Sequence, residues 1–186
     1  MPYNPRHHVP LPPRPRWPHL FFTLVSFRRR PILCYSPIRP ALRSALIEVR
    51  QRRPFDIDAW VLMPDHLHCI WTLPTGDTDY STRWALIKRL VSRSCAHEMD
   101  DGWRPSTSRV KHRDSIIWQR RFHEHMIRDE RDFERHADYI HFNPVKHRHA
   151  DSAAAWPFST FHRYVREGIY PADWGGTTHA ARVEWE

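Results

Sequence analysis

The sequence has few cysteines, and the ones it has form no pattern. Cys34, Cys69 and Cys95 are far apart, odd in number and without a CxxC pair. Neither a disulfide framework nor a cysteine zinc site is therefore expected. This cysteine usage predicts a reducing, cytoplasmic compartment.

The sequence also lacks a long apolar run. The longest, LFFTLVSF over residues 20–27, is far shorter than the ~18 residues that a membrane-spanning helix needs. The Pro- and Arg-rich N-terminus contains no apolar segment of the kind found in a signal peptide. We therefore expect neither a membrane protein nor a secreted one.

Lysine is scarce although the chain is strongly basic. Lys and Arg together number 29 against 21 Asp and Glu, which gives a net charge of +8, and only three of the 29 are lysines. The planar guanidinium group of arginine holds its N–H donors in a fixed geometry that suits phosphate oxygens. The excess of arginine therefore favours a nucleic-acid partner. A genome rich in G and C, with frequent arginine codons, explains the composition equally well.

The 186 residues correspond to one domain with additions. Residues 1–19 are rich in Pro and Arg, and we expect an extended, disordered basic arm there. Residues 20–149 contain the periodic segments of a folded domain. Residues 150–186 are aromatic and basic without a clear period, and we expect them to form a tail packed on that domain.

Strand and helix patterns alternate along the folded domain. The predicted strands are 20–27, 55–64, 65–74 and 116–127, and the predicted helices are 41–53, 81–98 and 128–142. The order β-α-β-β-α-β-α predicts an α+β fold, a ferredoxin-like βαββαβ sandwich with an antiparallel sheet and helices on one face. The last helix is an addition to that core, and Pro144 should kink or end it.

Two histidines flank Leu67 in the motif DHLHCIW. Because side chains alternate between the two faces of a strand, His66 and His68 lie on one face and Leu67 on the other. Two imidazoles side by side on a rigid strand provide half of a metal site. In a chain with 15 histidines, however, a surface pair on a half-exposed strand is the more frequent explanation of this spacing.

A second group of polar side chains lies in DYIHFNPVKH, at the end of the last predicted helix. Tyr139 and Asn143 are four residues apart, so a helix places them on the same face. Asn143 offers a carbonyl oxygen as a metal ligand, and Tyr139 offers a phenol that can form a covalent ester. An ordinary helix, with Tyr139 covering the core and Asn143-Pro144 ending the helix, explains the motif equally well.

Together, MPDHLHCIWTLP and DYIHFNPVKH resemble the REP-associated tyrosine transposases, a branch of the single-tyrosine HUH endonucleases. Three further segments are similar to blocks of that family: RRPFDIDAWVLMPDHLHCIWTLPTGDTDYSTRW, IWQRRFHEHMIRDERDF and WPFSTFHRYVREGIYPADW. The similarity extends over residues 20–174. With it, a metal-binding role for the histidine pair becomes the expected one.

The resemblance implies a mechanism and a substrate. His66, His68 and Asn143 would bind one divalent cation, Mg²⁺ or Mn²⁺, which would polarise the scissile phosphate. Tyr139 would attack phosphorus and form a 5′-phosphotyrosine bond, leaving a free 3′-hydroxyl. The family acts on single-stranded DNA beside repetitive extragenic palindromic (REP) sequences that fold into hairpins. Related insertion-sequence transposases work as dimers, whereas this branch can act as monomers, so we expect a monomer or a homodimer. Binding to DNA would associate the protein with the nucleoid in the cytoplasm.

The chain departs from the family pattern at two places. The family usually continues the tyrosine motif as VKHG, whereas Arg148 replaces the glycine here, and we expect this to alter the exit from the helix. The segment FHEH, with Phe122 followed by His123, stands where the family commonly has a Phe-Trp pair. Neither change removes a metal ligand or the nucleophile.

Several basic residues are candidates for contact with DNA phosphates, although a solvated charged face is the ordinary role of any one of them. They are Arg83, Lys88, Arg89, Arg120, Arg121, Lys146 and Arg163. The aromatic side chains of the tail could stack on unpaired bases, or they could be buried against the sheet.

Two functions of different classes compete. The first is a metal-dependent single-stranded DNA endonuclease and strand transferase. The second is a non-catalytic, sequence-specific regulator that binds nucleic-acid hairpins. The sequence favours the first because Tyr139, His66 and His68 are all present. A hydrolytic metalloenzyme is less favoured, since attack by water does not need a tyrosine on the helix face that carries the ligand.

Overall fold

The computed structural model describes residues 19–96 and 117–175. Nearly all of the arm predicted at residues 1–19, and the tail beyond residue 175, lie outside these ranges. No helix within them is long and apolar enough to cross a membrane.

Four strands and four α-helices form the fold within these two ranges. They are β1 (His19–Val25), α1 (Ile38–Arg52), β2 (Asp56–Leu62), β3 (His66–Thr72), α2 (Tyr80–Ser94), β4 (His123–Met126), α3 (Glu130–Lys146) and α4 (Phe161–Arg166). The sheet order is β2-β3-β1-β4, and every neighbouring pair is antiparallel. This arrangement confirms the predicted βαββαβ sandwich with an added helix.

Helices cover both faces of the sheet, and β3 is buried along its whole length. Leu67, Cys69 and Trp71 belong to the core on the side of α1 and α2. Ile70 points to the other face of the sheet and belongs to a second core together with Ile140 of α3. The added helix therefore closes the face that α1 and α2 leave open, which is the face carrying His66 and His68.

The last strand is shorter than the predicted segment 116–127. Ile117 and Trp118 are buried in the α1/α2 core, and Trp118 makes only an isolated bridge to Ser26. The chain leaves β1 at a 3₁₀ turn over Phe27–Arg29, so no partner strand continues beyond that point. The apolar run before β4 packs as core and meets β1 at this bridge, where the Phe27 N–H donates to the Ile117 carbonyl at 2.7 Å and the Gln119 N–H to the Val25 carbonyl at 2.9 Å.

Helix α3 continues past Pro144 to Lys146, whereas the sequence predicted a kink or an end near Asn143. The proline lies in the last turn of the helix. Its missing N–H removes a single intrahelical hydrogen bond, the one to the carbonyl of Ile140. The helix tolerates this loss because the chain leaves it immediately afterwards.

Arg148 closes the helix in a backbone conformation that favours glycine. The His149 N–H donates to the Pro144 carbonyl at 2.8 Å and the Arg148 N–H to the Val145 carbonyl at 2.9 Å. These two bonds are the Schellman arrangement, which needs a left-handed residue after the cap. Arg148 takes that conformation with φ of 58°. The exit is thus the one a glycine would make, at a cost in backbone strain.

The segment after α3 covers the open edge of the sheet at β2. The Leu62 N–H donates to the Phe158 carbonyl, and the Thr160 N–H donates to the Trp60 carbonyl, both at 2.9 Å. Phe161 of α4 is buried in the core beneath α3. The edge strand is therefore shielded by the chain's own C-terminal segment.

Candidate active site

His66 and His68 lie on the sheet face that α3 covers. Both are almost fully buried, with exposed fractions of 5% and 4%. Their ring centroids are 4.8 Å apart. The strand alternation that the sequence predicted therefore brings the two imidazoles together, beneath a helix and away from bulk solvent.

A polar neighbour orients each ring. Asp65 Oδ1 lies 2.6 Å from His66 Nδ1, and the Thr23 hydroxyl lies 2.8 Å from His68 Nδ1. A carboxylate on one ring nitrogen fixes the tautomer and leaves the other nitrogen for a ligand. Burial holds the pKa of His68 well below its usual value, and the electrostatic interaction with neighbouring His66 lowers it further, so this ring is neutral.

Helix α3 brings its two polar side chains to the same place. Asn143 Oδ1 lies 3.1 Å from His66 Nε2. The Tyr139 ring lies 5.1 Å from the His68 ring, at an interplanar angle of 67°. Strand β3 and helix α3 of the same chain therefore supply all four side chains.

The surroundings of Asn143 fit a bound cation. With Nδ1 of His66 held by Asp65, its Nε2 carries a lone pair that faces the amide oxygen of Asn143, another acceptor. The amide nitrogen of Asn143 is buried and has no hydrogen-bond partner among the described residues. Two hydrogen-bond acceptors that converge in a buried site have no proton to share. A divalent cation between them would accept both lone pairs.

One positive charge lies at the solvent side of this site. Lys146 Nζ lies 4.9 Å from the centre of the Tyr139 ring. The exposed ring of His147 lies 5.3 Å from the ring of His66. A phosphate that reaches Tyr139 would thus meet the ammonium group of Lys146.

Arg83 does not lie on a DNA-facing surface, and this corrects the sequence prediction. Its side chain is 1% exposed, and its guanidinium forms a bidentate pair with the Asp77 carboxylate at 3.1 and 2.6 Å. Further donors go to the backbone carbonyls of Arg53, Pro54 and Asp79. All its hydrogen-bonding capacity serves to join α2 to the loops around it.

Lys88 and Arg163 also serve the fold. The Lys88 ammonium donates to the carbonyls of Gln119 and Arg120 at 3.0 and 3.3 Å, and burial lowers its pKa to about 8. Arg163 donates to the carbonyls of Ile57 and Asp58 on β2. The remaining candidates, Arg89, Arg120, Arg121 and Lys146, are exposed.

The aromatic side chains of the tail are largely committed to packing. Phe161 and Tyr164 are each 1% exposed, and the indole of Trp156 donates to the Leu62 carbonyl at 3.0 Å. Stacking on bases would therefore need a different set of rings.

Sequence reasoning missed Asp65, Thr23 and His147. Asp65 directly precedes the histidine pair, so its position beside His66 was open to inference. Thr23 reaches His68 only through the register of β1 with β3, in which these two residues are paired. No local pattern marks such a pair.

The chain is similar to known proteins in both sequence and structure. The REP-associated tyrosine transposase of Escherichia coli (strain K12) is 46% identical over 156 residues, which cover 84% of this chain and 84% of the relative. A Haemophilus influenzae protein assigned the same name is 41% identical over 156 residues, covering 84% of this chain and 86% of the relative.

A solved structure, described as a REP-associated tyrosine transposase bound to a REP hairpin, is also similar. It has a TM-score of 0.71 and 41% identity, and the alignment covers 95% of this chain and 92% of the other. No family model matches the chain.

Proposed function

The chain belongs to the family of REP-associated tyrosine transposases, and from that premise we propose that it cleaves and rejoins single-stranded DNA beside REP hairpins through a covalent bond to Tyr139. The observation that supports this most directly is that α3 brings two side chains to the histidine pair. The Tyr139 ring lies 5.1 Å from the His68 ring, and Asn143 Oδ1 lies 3.1 Å from His66 Nε2. A helix that only covered the sheet would not need a phenol and an amide there.

The reaction exchanges one phosphodiester bond for another. The phenolic oxygen of Tyr139 forms a bond to phosphorus, the phenol proton is released, and the bond from phosphorus to the 3′-oxygen breaks. The 3′-oxygen takes up a proton and becomes a free hydroxyl, while the 5′-phosphate stays on the protein. Reversal with another 3′-hydroxyl joins two ends without a nucleotide cofactor.

His66, His68 and Asn143 would hold the divalent cation, Mg²⁺ or Mn²⁺, on which the activity depends. The cation would supply Lewis-acid stabilisation of the negative charge that develops on the phosphate. Asp65 and Thr23 fix the imidazole rings, so the ligand nitrogens need not reorganise when the phosphate arrives. Lys146 adds a positive charge beside Tyr139.

DNA binding beyond the active site is proposed for the exposed basic residues Arg89, Arg120, Arg121 and Lys146. Phosphate contacts of this kind give affinity but carry no base sequence. The choice of hairpin would come from its shape and from base contacts.

The test is covalent capture of labelled DNA. A REP hairpin with a single-stranded flank, labelled at its 3′ end, is incubated with protein and divalent cation and run on a denaturing gel. The wild-type protein should retard the label, because the 5′-phosphate of the 3′ fragment stays attached to Tyr139. Tyr139→Phe removes only the phenolic oxygen, so hairpin binding should persist while the retarded band disappears.

Tyr35→Phe is the matched control, since Tyr35 is 65% exposed and lies outside the site. It should form the adduct at the wild-type rate. An adduct that survives Tyr139→Phe would place the nucleophile elsewhere. Hairpin binding without any adduct in the wild-type protein would favour the non-catalytic regulator.

A further inference from the structure

A second cluster of ligand-type side chains lies on the same sheet face, away from the His66–His68 pair. His125 of β4 pairs with Phe21 of β1, and Phe21 pairs in turn with Ile70 of β3. His125 therefore faces α3, but two strands from β3. Opposite it, Asp132 and His136 are four residues apart on α3 and share one helix face.

The three side chains are already in contact. His125 Nε2 lies 2.9 Å from Asp132 Oδ2, and His136 Nδ1 lies 3.2 Å from Asp132 Oδ1. The two imidazole rings are stacked, with centroids 4.8 Å apart and planes at 16°. One ligand atom from each residue can be chosen so that all three lie within 4.8 Å of one another.

The carboxylate at the centre is buried and remains charged. Asp132 is 6% exposed and accepts the backbone N–H of Arg128 at 3.1 Å, while Arg135 approaches it at 3.7 Å. Although burial raises the pKa of Asp132, hydrogen bonds from His125 and Arg128 outweigh this and hold the pKa below its usual value. A buried anion flanked by two imidazoles is a ligand set, whereas a purely structural pair would need one histidine.

The cluster shares no ligand side chain with the proposed cleavage site. Phe21 lies between the two histidine groups: its ring is 4.7 Å from the ring of His136 and 5.6 Å from that of His68. The cluster opens on a cleft of about 600 Å³ that Phe21, Thr23 and Tyr139 also line. A cation there would keep room for water in its remaining coordination positions.

We propose that His125, Asp132 and His136 bind a second divalent cation of the Zn²⁺ type, which fastens the helix of the nucleophile to the edge strand β4. Two imidazoles and one carboxylate suit borderline-soft transition metals, since Mg²⁺ and Ca²⁺ prefer oxygen ligands alone. A metal-to-ligand distance of about 2.0–2.2 Å would draw the three ligand atoms, now within 4.8 Å of one another, closer together.

Proton balance is straightforward. His136 Nδ1 lies 2.8 Å from the backbone carbonyl of Asp132, and a proton held on that nitrogen leaves the lone pair on Nε2, as is usual for metal-ligating histidines. At His125 the proton that Nε2 now donates to Asp132 would move to Nδ1. The neutral ring then offers the lone pair of Nε2 to the cation and keeps its single proton.

The consequence concerns the placement of Tyr139. β4 has four residues and, among the described strands, pairs with β1 alone. A cation shared by β4 and α3 would link this short strand to the helix, with His136 one turn before Tyr139. Its role is to position the helix, since none of its ligands reaches the tyrosine's partners His66 and His68.

The test uses Zn²⁺ alone and a background without the other histidine pair. The full-length variant His66→Ala/His68→Ala is titrated with Zn²⁺ by calorimetry, and Co²⁺ is used in parallel for its visible absorption bands. We expect one saturable equivalent in this background. Adding His125→Gln or His136→Gln should abolish that equivalent, whereas His123→Gln, an exposed histidine of the same strand, should keep it.

Two further measurements distinguish loss of Zn²⁺ binding from loss of structure and test the effect of the ion on α3. Circular dichroism of each metal-free variant shows whether it is folded, so that loss of binding is not loss of structure. Amide hydrogen exchange should show slower exchange in α3 when Zn²⁺ is added to the background variant, and no change after His136→Gln.

A folded background variant that binds no Zn²⁺ would overturn the proposal. So would binding that survives both His125→Gln and His136→Gln, because the ion would then lie at another cluster. Zn²⁺ binding without slower exchange in α3 would overturn the positioning role. None of these readouts depends on DNA cleavage.

Discussion

Nε2 of His66, on a central strand, lies 3.1 Å from the amide oxygen of Asn143, in the last turn of the helix that carries Tyr139. The two residues are 77 positions apart in the chain, and their contact is where the sheet and the added helix form one site. Its consequences for activity can be measured by removing each partner.

Cleavage should require a divalent cation and both histidines. His66→Ala or His68→Ala should abolish adduct formation, since each imidazole supplies a ligand nitrogen. Asn143→Ala should be milder, because a neutral amide oxygen is a weaker ligand that water can replace. Rates of adduct formation across a Mn²⁺ titration would check this.

His162→Ala is a suitable control for that series, because its ring lies on α4 and meets the backbone carbonyl of Trp156 at 3.1 Å. It should leave the rate unchanged. Full cleavage activity in excess EDTA would contradict the metal assignment altogether.

Arg83 and Arg89 should behave differently although both are arginines of α2. Arg83→Met leaves the Asp77 carboxylate and several carbonyls without their donor, and we expect a loss of roughly 3 kcal/mol in the free energy of unfolding. Arg89→Met, at an exposed position, should leave stability nearly unchanged and weaken DNA binding. Urea denaturation and fluorescence anisotropy separate the two effects. Equal stability of both variants would contradict the assignment of Arg83 to the fold.

Arg148→Gly should stabilise the protein. The left-handed backbone at φ of 58° is strained for arginine and not for glycine, and the greater freedom of glycine in the unfolded chain offsets part of the gain. We expect a net gain of about 1 kcal/mol, seen as a higher urea midpoint. His149→Gly, at the next position, should give no such gain. A lower midpoint for Arg148→Gly would show that its side chain contributes more than the strain costs.

DNA affinity should fall steeply with salt, because arginine and lysine contacts to phosphates release counterions. For single strands the slope of log K against log[salt] is about −0.7 per phosphate, so about four to six contacts give a slope of about −3 to −4. Lys146→Met should make the slope shallower by about 0.7. Anisotropy across a salt series measures both quantities.

Specificity should respond differently to salt. The ratio of hairpin to scrambled-strand affinity should hold or rise as salt increases, because base contacts and hairpin shape do not depend on counterion release. A ratio near one at every salt concentration would indicate a non-specific basic protein.

Local periodicity was enough to predict much of this molecule. The alternation of β3 placed His66 and His68 on one face without knowledge of any neighbour, and helical spacing did the same for Tyr139 and Asn143. The alternating order of strands and helices predicted the sandwich, and the sheet order β2-β3-β1-β4 confirms it. These features depend on residues close in the chain, so the sequence alone determined them.

Tertiary structure decided which of these faces meet. Thr23 reaches His68 through strand register, and the three members of the second cluster, His125, Asp132 and His136, meet only because α3 docks across β4. Tertiary structure also decided the environment of Arg83. Its charge predicted a surface residue, but the loops around α2 enclose it. Register and docking depend on the packing of distant segments, and a pattern of period two or 3.6 carries no information about what lies opposite it.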